Sequence, residues 1–197
     1  MVDVGAHVGL FALRCAALFA QRGDSAARVL ALEPVSATFQ ALQANTRSAP
    51  CITPFRTGIS SSADATALFT VWPQLLSQST LRRSETQQSS IAPALWAGER
   101  CELFPMTTLA SFLAAHVPSH RRVSLLKVDA EMAELDVLRS AGAELARVDS
   151  CAVEVHTVER CRLPAVAALL SGAGLTWQRT GTQAGGTVML YARRFVS

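Results

Sequence analysis

Two groups of polar residues in this chain have the types and the spacing of a ligand-binding site and of a catalytic site. The first is the segment DVGAHVG, which runs from Asp3 to Gly9 between a predicted strand and a predicted helix. Gly5 and Gly9 permit backbone conformations and close approaches that a Cβ atom would prevent. The start of the following helix favours an anionic group of a ligand, such as a phosphate or a carboxylate.

The spacing within this loop distinguishes two classes of nucleotide ligand. A dinucleotide site needs G-x-G-x-x-G, whereas this loop has G-x-x-x-G with Asp3 before it. The acid would repel a pyrophosphate, but it would suit the ammonium and sulfonium groups of S-adenosylmethionine. The loop alone leaves one alternative open, a strand-to-helix turn that merely contains convenient glycines.

A second acid supports the nucleotide interpretation. Glu33 closes the next predicted strand, RVLALE, where a carboxylate can accept hydrogen bonds from both hydroxyls of a ribose. A glutamate at a strand end is often only solvated, but its place after the glycine loop favours a ribose ligand. Pro34 fits the first turn of the next helix, where a missing N–H costs nothing. We therefore predict a cofactor site formed by Glu33, Pro34 and the loop, including Ala6 and His7.

The second group of polar residues lies at the ends of two later strands. Asp129 and Glu131 close the apolar run VSLLKVDAE, and Glu154 and His156 close the run DSCAVEVH. Alternation places Glu154 and His156 on the same side of their strand, and ligands of open α/β sheets bind at the carboxyl ends of the strands. Glu134, which follows the first pair, is expected to cap the next helix.

These four residues could transfer a proton, and we predict that they form the catalytic site. The pKa of a histidine such as His156 is ordinarily near neutral, and desolvation could raise the pKa of Asp129 or Glu131 into that range. A carboxylate–imidazole set could also bind a divalent ion, but the sequence does not require one, and we predict no metal. The alternative is that all four are solvated strand ends.

The elements that must position these residues alternate between strands and helices. Such a pattern predicts an α/β fold with a mostly parallel sheet, helices on both faces and a closing antiparallel hairpin. We predict a single domain over residues 1–197, with a first strand that is truncated or unusually short because it begins at Met1. Residues 73–99 are rich in Ser, Gln and Thr without a clear period, and we expect a substrate-side lid there.

Composition excludes several other classes of protein. Half of the residues are hydrophobic, the net charge is only +3 and the basic residues are scattered, so we predict no nucleic-acid partner. The apolar run from Leu163 to Gln178 contains Gly172 and Gly174 and is too short to span a membrane. Five cysteines without a CxxC pair or a secretory leader favour a cytoplasmic protein with reduced thiols. The oligomeric state is not predicted.

Taken together, the motifs resemble the FkbM family of methyltransferases. The similar segments are DVGAHVGLFAL, ALEPVSATFQALQAN, LLKVDAEMAELDVLRSA and VEVH, with TTLASFL and Ser79–Leu81 as weaker features. They occur in the family's order and cover nearly the whole chain. The resemblance implies a Rossmann-like class I methyltransferase fold, S-adenosylmethionine as cofactor and O-methylation of a hydroxyl. It also implies a small-molecule substrate, such as a sugar, a polyketide or another secondary metabolite.

Three residues depart from the family's pattern. His7 replaces an Asn, Met132 replaces a Gly, and Ala110 replaces an acid. These departures keep open a catalytically decayed paralogue that binds the cofactor without turnover. A nicotinamide-dependent oxidoreductase would share the fold, but the spacing of the glycine loop disfavours it.

Overall fold

The fold is given by a computed structural model, and its described residues are 1–61, 66–71, 80–81, 100–156, 162–183 and 187–195. The strands are β1 (Val2–Val4), β2 (Val29–Leu32), β3 (Ile52–Phe55), β4 (Gly58–Ile59), β5 (Thr66–Val71), β6 (Thr80–Leu81), β7 (Arg100–Thr107), β8 (Leu126–Val128), β9 (Ser150–His156), β10 (Thr176–Gln183) and β11 (Thr187–Arg193). The helices are α1 (Leu10–Gln21), α2 (Ser36–Thr46), α3 (Leu109–His116), α4 (Glu134–Ala141), which continues as a 3₁₀ helix (Gly142–Arg147), and α5 (Arg162–Gly172).

The described strands build a seven-stranded main sheet in the order β10-β11-β9-β8-β1-β2-β3. Neighbouring strands from β9 to β3 are parallel, whereas β11 lies antiparallel between β9 and β10. This arrangement confirms the predicted mostly parallel sheet with its closing antiparallel hairpin. Because parallel strands end at one edge, β1, β2, β8 and β9 bring the residues that follow them to the same side of the sheet.

Helices cover both faces of this sheet, as the alternation of buried side chains along β2 demonstrates. Val29 and Ala31 pack in one hydrophobic cluster with residues of α1 and α2. Leu32 packs in the other cluster with residues of α3, α4 and α5. Successive side chains of a strand point to opposite faces, so each face is buried under its own layer of helices.

The remaining described strands form a second, smaller sheet in the order β4-β7-β5-β6. β5 pairs antiparallel with β7, with Thr66 opposite Pro105 at one end and Val71 opposite Arg100 at the other. β7 also pairs with β4, which the sequence analysis did not predict. Of the predicted lid over 73–99, only Thr80 and Leu81 are described, and they pair with β5. The rest of that segment lies outside the described residues.

One helix boundary differs from its prediction. The second helix begins at Ser36 with Val35 as its N-cap, so Pro34 precedes the first turn instead of lying in it. The reason is that the Glu33 carboxylate accepts the Val35 N–H and holds the backbone outside the helix. After α4, the chain changes to 3₁₀ geometry at Gly142, which has φ +52°.

Two further expectations can be compared with the fold. No helix among the described residues is long and apolar enough to cross a membrane. The described cysteines Cys15, Cys51 and Cys151 are free thiols. Burial raises the pKa of the Cys151 thiol to about 12, so this side chain behaves as a small core residue.

Candidate active site

The glycine loop joins β1 to α1 through three residues in left-handed backbone conformations. These are Gly5 (φ +76°), His7 (φ +51°) and Gly9 (φ +88°). At Gly5 a Cβ atom would lie 1.8 Å from the carbonyl oxygen of Asp129, so the close approach of the two strand ends requires glycine. His7 stands where the family pattern has Asn, a residue that tolerates this conformation better than most.

Glu33 fixes the shape of this loop from the end of β2. Its carboxylate accepts the backbone N–H of His7 at 2.9 Å, the N–H of Val35 at 3.0 Å and the Thr38 hydroxyl at 2.7 Å. Burial raises the pKa of Glu33, while these three hydrogen bonds lower it. Each carboxylate oxygen can accept two hydrogen bonds. Among the described residues only His7 donates to Oε2, so this oxygen retains capacity for a ligand.

Asp3 lies in β1, at the start of the DVGAHVG segment. Its side chain is fully buried, and its counter-ion is the Lys127 ammonium, 3.1 Å from Oδ1. The same ammonium lies 3.3 Å from Asp129 Oδ2 and donates to the Gly5 carbonyl at 2.9 Å. Lys127 is thus a cationic partner of Asp3 that was not predicted from the sequence. A lysine inside an otherwise apolar strand was the signal for this ion pair.

The four residues predicted to be catalytic come together. β8 and β9 are parallel neighbours, and single ligand atoms of Asp129, Glu154 and His156 lie within 4.8 Å of one another. Glu131 Oε2 is 3.3 Å from His156 Nε2. Glu154 and His156 are part-exposed while Val155 between them is buried, which agrees with the predicted alternation.

The environment of this group sets two pKa values. Burial raises the pKa of Glu131 to about 7; His156 opposes this shift, and the carboxylates of Asp129, Glu134 and Glu154 add to it. Burial alone would lower the pKa of His156. The hydrogen bond and charge of Glu134, followed by the charges of Glu131 and Asp129, outweigh burial and raise it to about 9. Near neutral pH the imidazole is therefore protonated, and Glu131 is the group poised to gain or lose a proton.

Glu134, which was expected only to cap a helix, is part of this arrangement. It is fully buried, and its Oε1 lies 2.6 Å from His156 Nδ1. This contact was not predicted, because a carboxylate in the first turn of a helix ordinarily only caps the helix and does not indicate a partner on a distant strand.

Asp129, Glu154 and His156 have the side-chain types and proximity that a divalent cation needs. Competing contacts already occupy this set. The Lys127 ammonium lies beside Asp129, and the nitrogens of His156 face Glu134 and Glu131. We assign no metal to these residues.

A cavity of about 310 Å³ connects the glycine loop with the acidic group. The predicted cofactor site contributes four lining residues, Gly5, His7, Glu33 and Pro34. The predicted catalytic site contributes three, Asp129, Glu131 and Glu154. The remaining lining residues are Val4, Leu32, Val35, Thr57, Gly58, Ile59, Ala130 and Ala133. Asp3, Ala6, Gly9 and His156 are not among its lining residues. The contribution of 57–59 was missed, because a two-residue strand leaves no periodic signal.

The family assignment follows from comparison with known proteins. The family model described as Methyltransferase FkbM domain matches residues 3–170. The chain belongs to the FkbM methyltransferase family. The resemblance stated from the motifs is thereby confirmed, and the matched segment contains both groups of site residues.

Individual relatives agree with this assignment. "Methyltransferase 1" from Beauveria bassiana (strain ARSEF 2860) is 32% identical over 154 residues, which is 73% of this chain and 59% of that protein. The crystal structure of a methyltransferase FkbM from Methylobacillus flagellatus KT has a TM-score of 0.59 at 19% identity, covering 98% of this chain and 42% of that one. This FkbM-family chain therefore spans less than two thirds of the length of either relative.

A more distant structure shares the fold alone. Aeropyrum pernix fibrillarin, solved with natively bound S-adenosyl-L-methionine, has a TM-score of 0.50 at 11% identity and covers 97% of this chain and 64% of that one. These likenesses agree with the Rossmann-like fold predicted for the FkbM-type chain.

Proposed function

We propose that this chain is an S-adenosylmethionine-dependent methyltransferase that methylates a hydroxyl group of a small molecule, such as a sugar, a polyketide or another secondary metabolite. The observation that carries the proposal is the cavity of about 310 Å³ shared by the glycine loop and the acidic group. Ligand sites are typically concavities of about this size or larger with a few convergent polar groups. Membership of the FkbM family supports the reaction class.

The residues at the loop end of the cavity fit the proposed cofactor. Glu33 keeps acceptor capacity on Oε2 next to His7 and suits the hydroxyls of a ribose. The parallel sheet places this acid and the glycine loop at the carboxyl edge, where α/β proteins bind nucleotides. When bound, S-adenosylmethionine would supply an electrophilic methyl group.

The residues at the other end would position and deprotonate the acceptor. Glu131 would accept the hydroxyl proton, because a general base works best when its pKa lies near the operating pH and that of Glu131 is raised to about 7. His156, with a pKa of about 9, would stay protonated and stabilise the ionised form of Glu131. This assignment favours Glu131 over the histidine base that an ordinary imidazole pKa suggested.

A calorimetric titration tests the cofactor separately from the reaction. We expect S-adenosylmethionine and S-adenosylhomocysteine to bind, and NAD to give no binding heat at the same concentrations. Binding of NAD instead would favour the oxidoreductase alternative and refute the proposal.

The reaction requires a panel of sugar and polyketide alcohols with radiolabelled methyl donor. Transfer to a hydroxyl that is lost in Glu131→Gln, with unchanged cofactor binding, is the expected result. Cofactor binding without transfer to any member of a broad panel would favour the decayed paralogue. The departures at His7, Met132 and Ala110 keep that candidate open.

A further inference from the structure

Glu134 is one of the buried charged side chains among the described residues. It is the first residue of α4 and is fully buried, and its Oε2 has no hydrogen-bond partner among the described residues. A buried carboxylate is costly unless it is paired and hydrogen-bonded. The favourable end of the helix dipole at such a position offsets only a part of that cost. The other carboxylate oxygen, Oε1, makes two contacts that compensate for the burial of this side chain.

The first contact of Oε1 holds a strained turn. It accepts the backbone N–H of Met132 at 2.8 Å. Met132 has φ +74° and Glu131 before it has φ +37°, conformations that favour glycine. The Arg162 guanidinium donates to the Met132 carbonyl from the other side. A turn with two such residues persists only where its surroundings determine it, and this turn carries Glu131.

The second contact of the same oxygen fixes an imidazole. Oε1 lies 2.6 Å from His156 Nδ1, and the opposite ring nitrogen, Nε2, lies 3.3 Å from Glu131 Oε2. A carboxylate that accepts from Nδ1–H sets both the tautomer and the orientation of a histidine ring. Because one oxygen holds both the ring and the turn, the distance between His156 and Glu131 depends on Glu134.

We propose that Glu134 is a positioning residue of the active site, which holds the His156 ring against the Glu131 carboxylate by binding the ring and the Glu131–Met132 turn through one oxygen. The catalytic importance of these two Glu134 contacts rests on the proposed function. Their geometry is independent of it. A purely structural glutamate would stabilise the turn without affecting the proton on His156.

Charges from several elements surround His156, so the effect of Glu134 must be separated from theirs. Glu131 and Asp129 follow β8, Glu154 shares β9 with the histidine, and Lys127 of β8 pairs with Asp129. Thr187 of β11, opposite His156 in the antiparallel pairing, is uncharged. Glu134 makes the largest of the contributions that raise the pKa of His156. Removing its charge should therefore lower that pKa while the other acids keep it above the value for free histidine.

The experiment compares wild-type protein with Glu134→Gln, which keeps the shape and an acceptor oxygen but loses the charge. In protein labelled with ¹⁵N-histidine, the side-chain nitrogens of His156 are followed by NMR. In the wild type we expect both nitrogens to stay protonated through neutral pH, and the remaining proton to stay on Nδ1 after deprotonation. In Glu134→Gln the midpoint should fall by about one pH unit or more. Glu144→Gln, which removes a carboxylate paired with Arg147, is the matched control and should leave His156 unchanged.

Kinetics provide the second readout. If methyl transfer is established, Glu134→Gln should lower kcat about tenfold or more, with the KM for S-adenosylmethionine within about twofold of wild type. Absence of transfer in both proteins would refute the proposed function, while the NMR comparison would still decide the positioning role. A wild-type His156 midpoint near the ordinary value with the proton on Nε2 would overturn the inference without any variant. An unchanged midpoint in folded Glu134→Gln would overturn it as well.

Discussion

Replacing Lys127 with methionine should destabilise this protein strongly, because the lysine neutralises a carboxylate that has no access to water. Asp3 is fully buried, and the Lys127 ammonium lies 3.1 Å from it. At an effective dielectric constant of about 20, opposite charges at this distance attract by about 5 kcal/mol. Removing one member of a buried pair typically costs about 3–5 kcal/mol, since the other charge stays buried without compensation. We expect Lys127→Met to lose that much stability and to melt about 6–20 °C lower.

Urea unfolding followed by circular dichroism measures this loss, and two further variants test its cause. Asp3→Asn combined with Lys127→Met removes the uncompensated charge and should recover more than half of the lost stability. Arg122→Met is the control for losing a surface cation, because Arg122 pairs with Asp149 where both side chains are more than two-fifths exposed. Exposed pairs contribute about 0–1 kcal/mol.

The loss should also depend on pH in a definite direction. Burial already raises the pKa of Asp3, and Lys127 opposes that rise, so the pKa climbs further in Lys127→Met. An acid with a higher pKa in the folded state binds protons preferentially when folded. The destabilisation should therefore be full above the folded pKa and should shrink as the pH falls toward about 4, the unfolded value. A loss below about 1 kcal/mol, or a double variant no more stable than Lys127→Met, would refute this account of the ion pair.

The other predictions concern the cavity and its loop. Gly5→Ala should cost about 3 kcal/mol or more in urea unfolding, because its Cβ would meet the Asp129 carbonyl oxygen at 1.8 Å. Gly23→Ala, also at positive φ but with nothing within 4 Å, should cost only about 1–2 kcal/mol; equal costs would contradict the packing argument. Glu33→Gln should weaken S-adenosylmethionine binding about tenfold or more by calorimetry, and a change under about threefold would leave Glu33 only its role in the loop. The rate of methyl transfer should rise with pH through about 7, where Glu131 loses its proton; a rise centred near 9 would point to His156 as the base.

The fold was largely predictable because the signals that define it are local. Continuous apolar runs predicted the buried parallel strands β2, β8 and β9, and the glycine loop predicted the helix that follows it, which is α1. The short strands β4 and β6 were missed, since two residues are too few to display a period.

The site was predictable only where chain order brings residues together. Residues at the ends of the neighbouring strands β8 and β9 were expected to meet, and Asp129, Glu154 and His156 do so. The partners of Asp3 and of His156 were not predicted. Lys127 reaches Asp3 across two adjacent strands, and Glu134 reaches His156 from the start of a helix. Nothing in one sequence fixes which buried charges will pair across elements.

The charges at this edge of the sheet form two alternating sets that have different consequences. In the first, the Lys127 ammonium lies between Asp3 and Asp129. The same ammonium donates to the Gly5 carbonyl, so these contacts hold the glycine loop next to β8. In the second, the His156 ring lies between Glu131 and Glu134, and this set holds the group proposed to move a proton.

Each set contains two carboxylates and one cationic group, so each carries net negative charge whenever both of its acids are ionised. Glu154 adds a further acid to the cavity wall, and Glu33 lines the same cavity from the end of β2. A phosphate or carboxylate on an acceptor would be repelled by these groups, because like charges in a partly desolvated site interact strongly. A neutral hydroxyl meets no such barrier, and Glu131 is the base proposed to accept its proton. The electrostatics of the cavity therefore favour the uncharged acceptor in the proposed reaction over an anionic one.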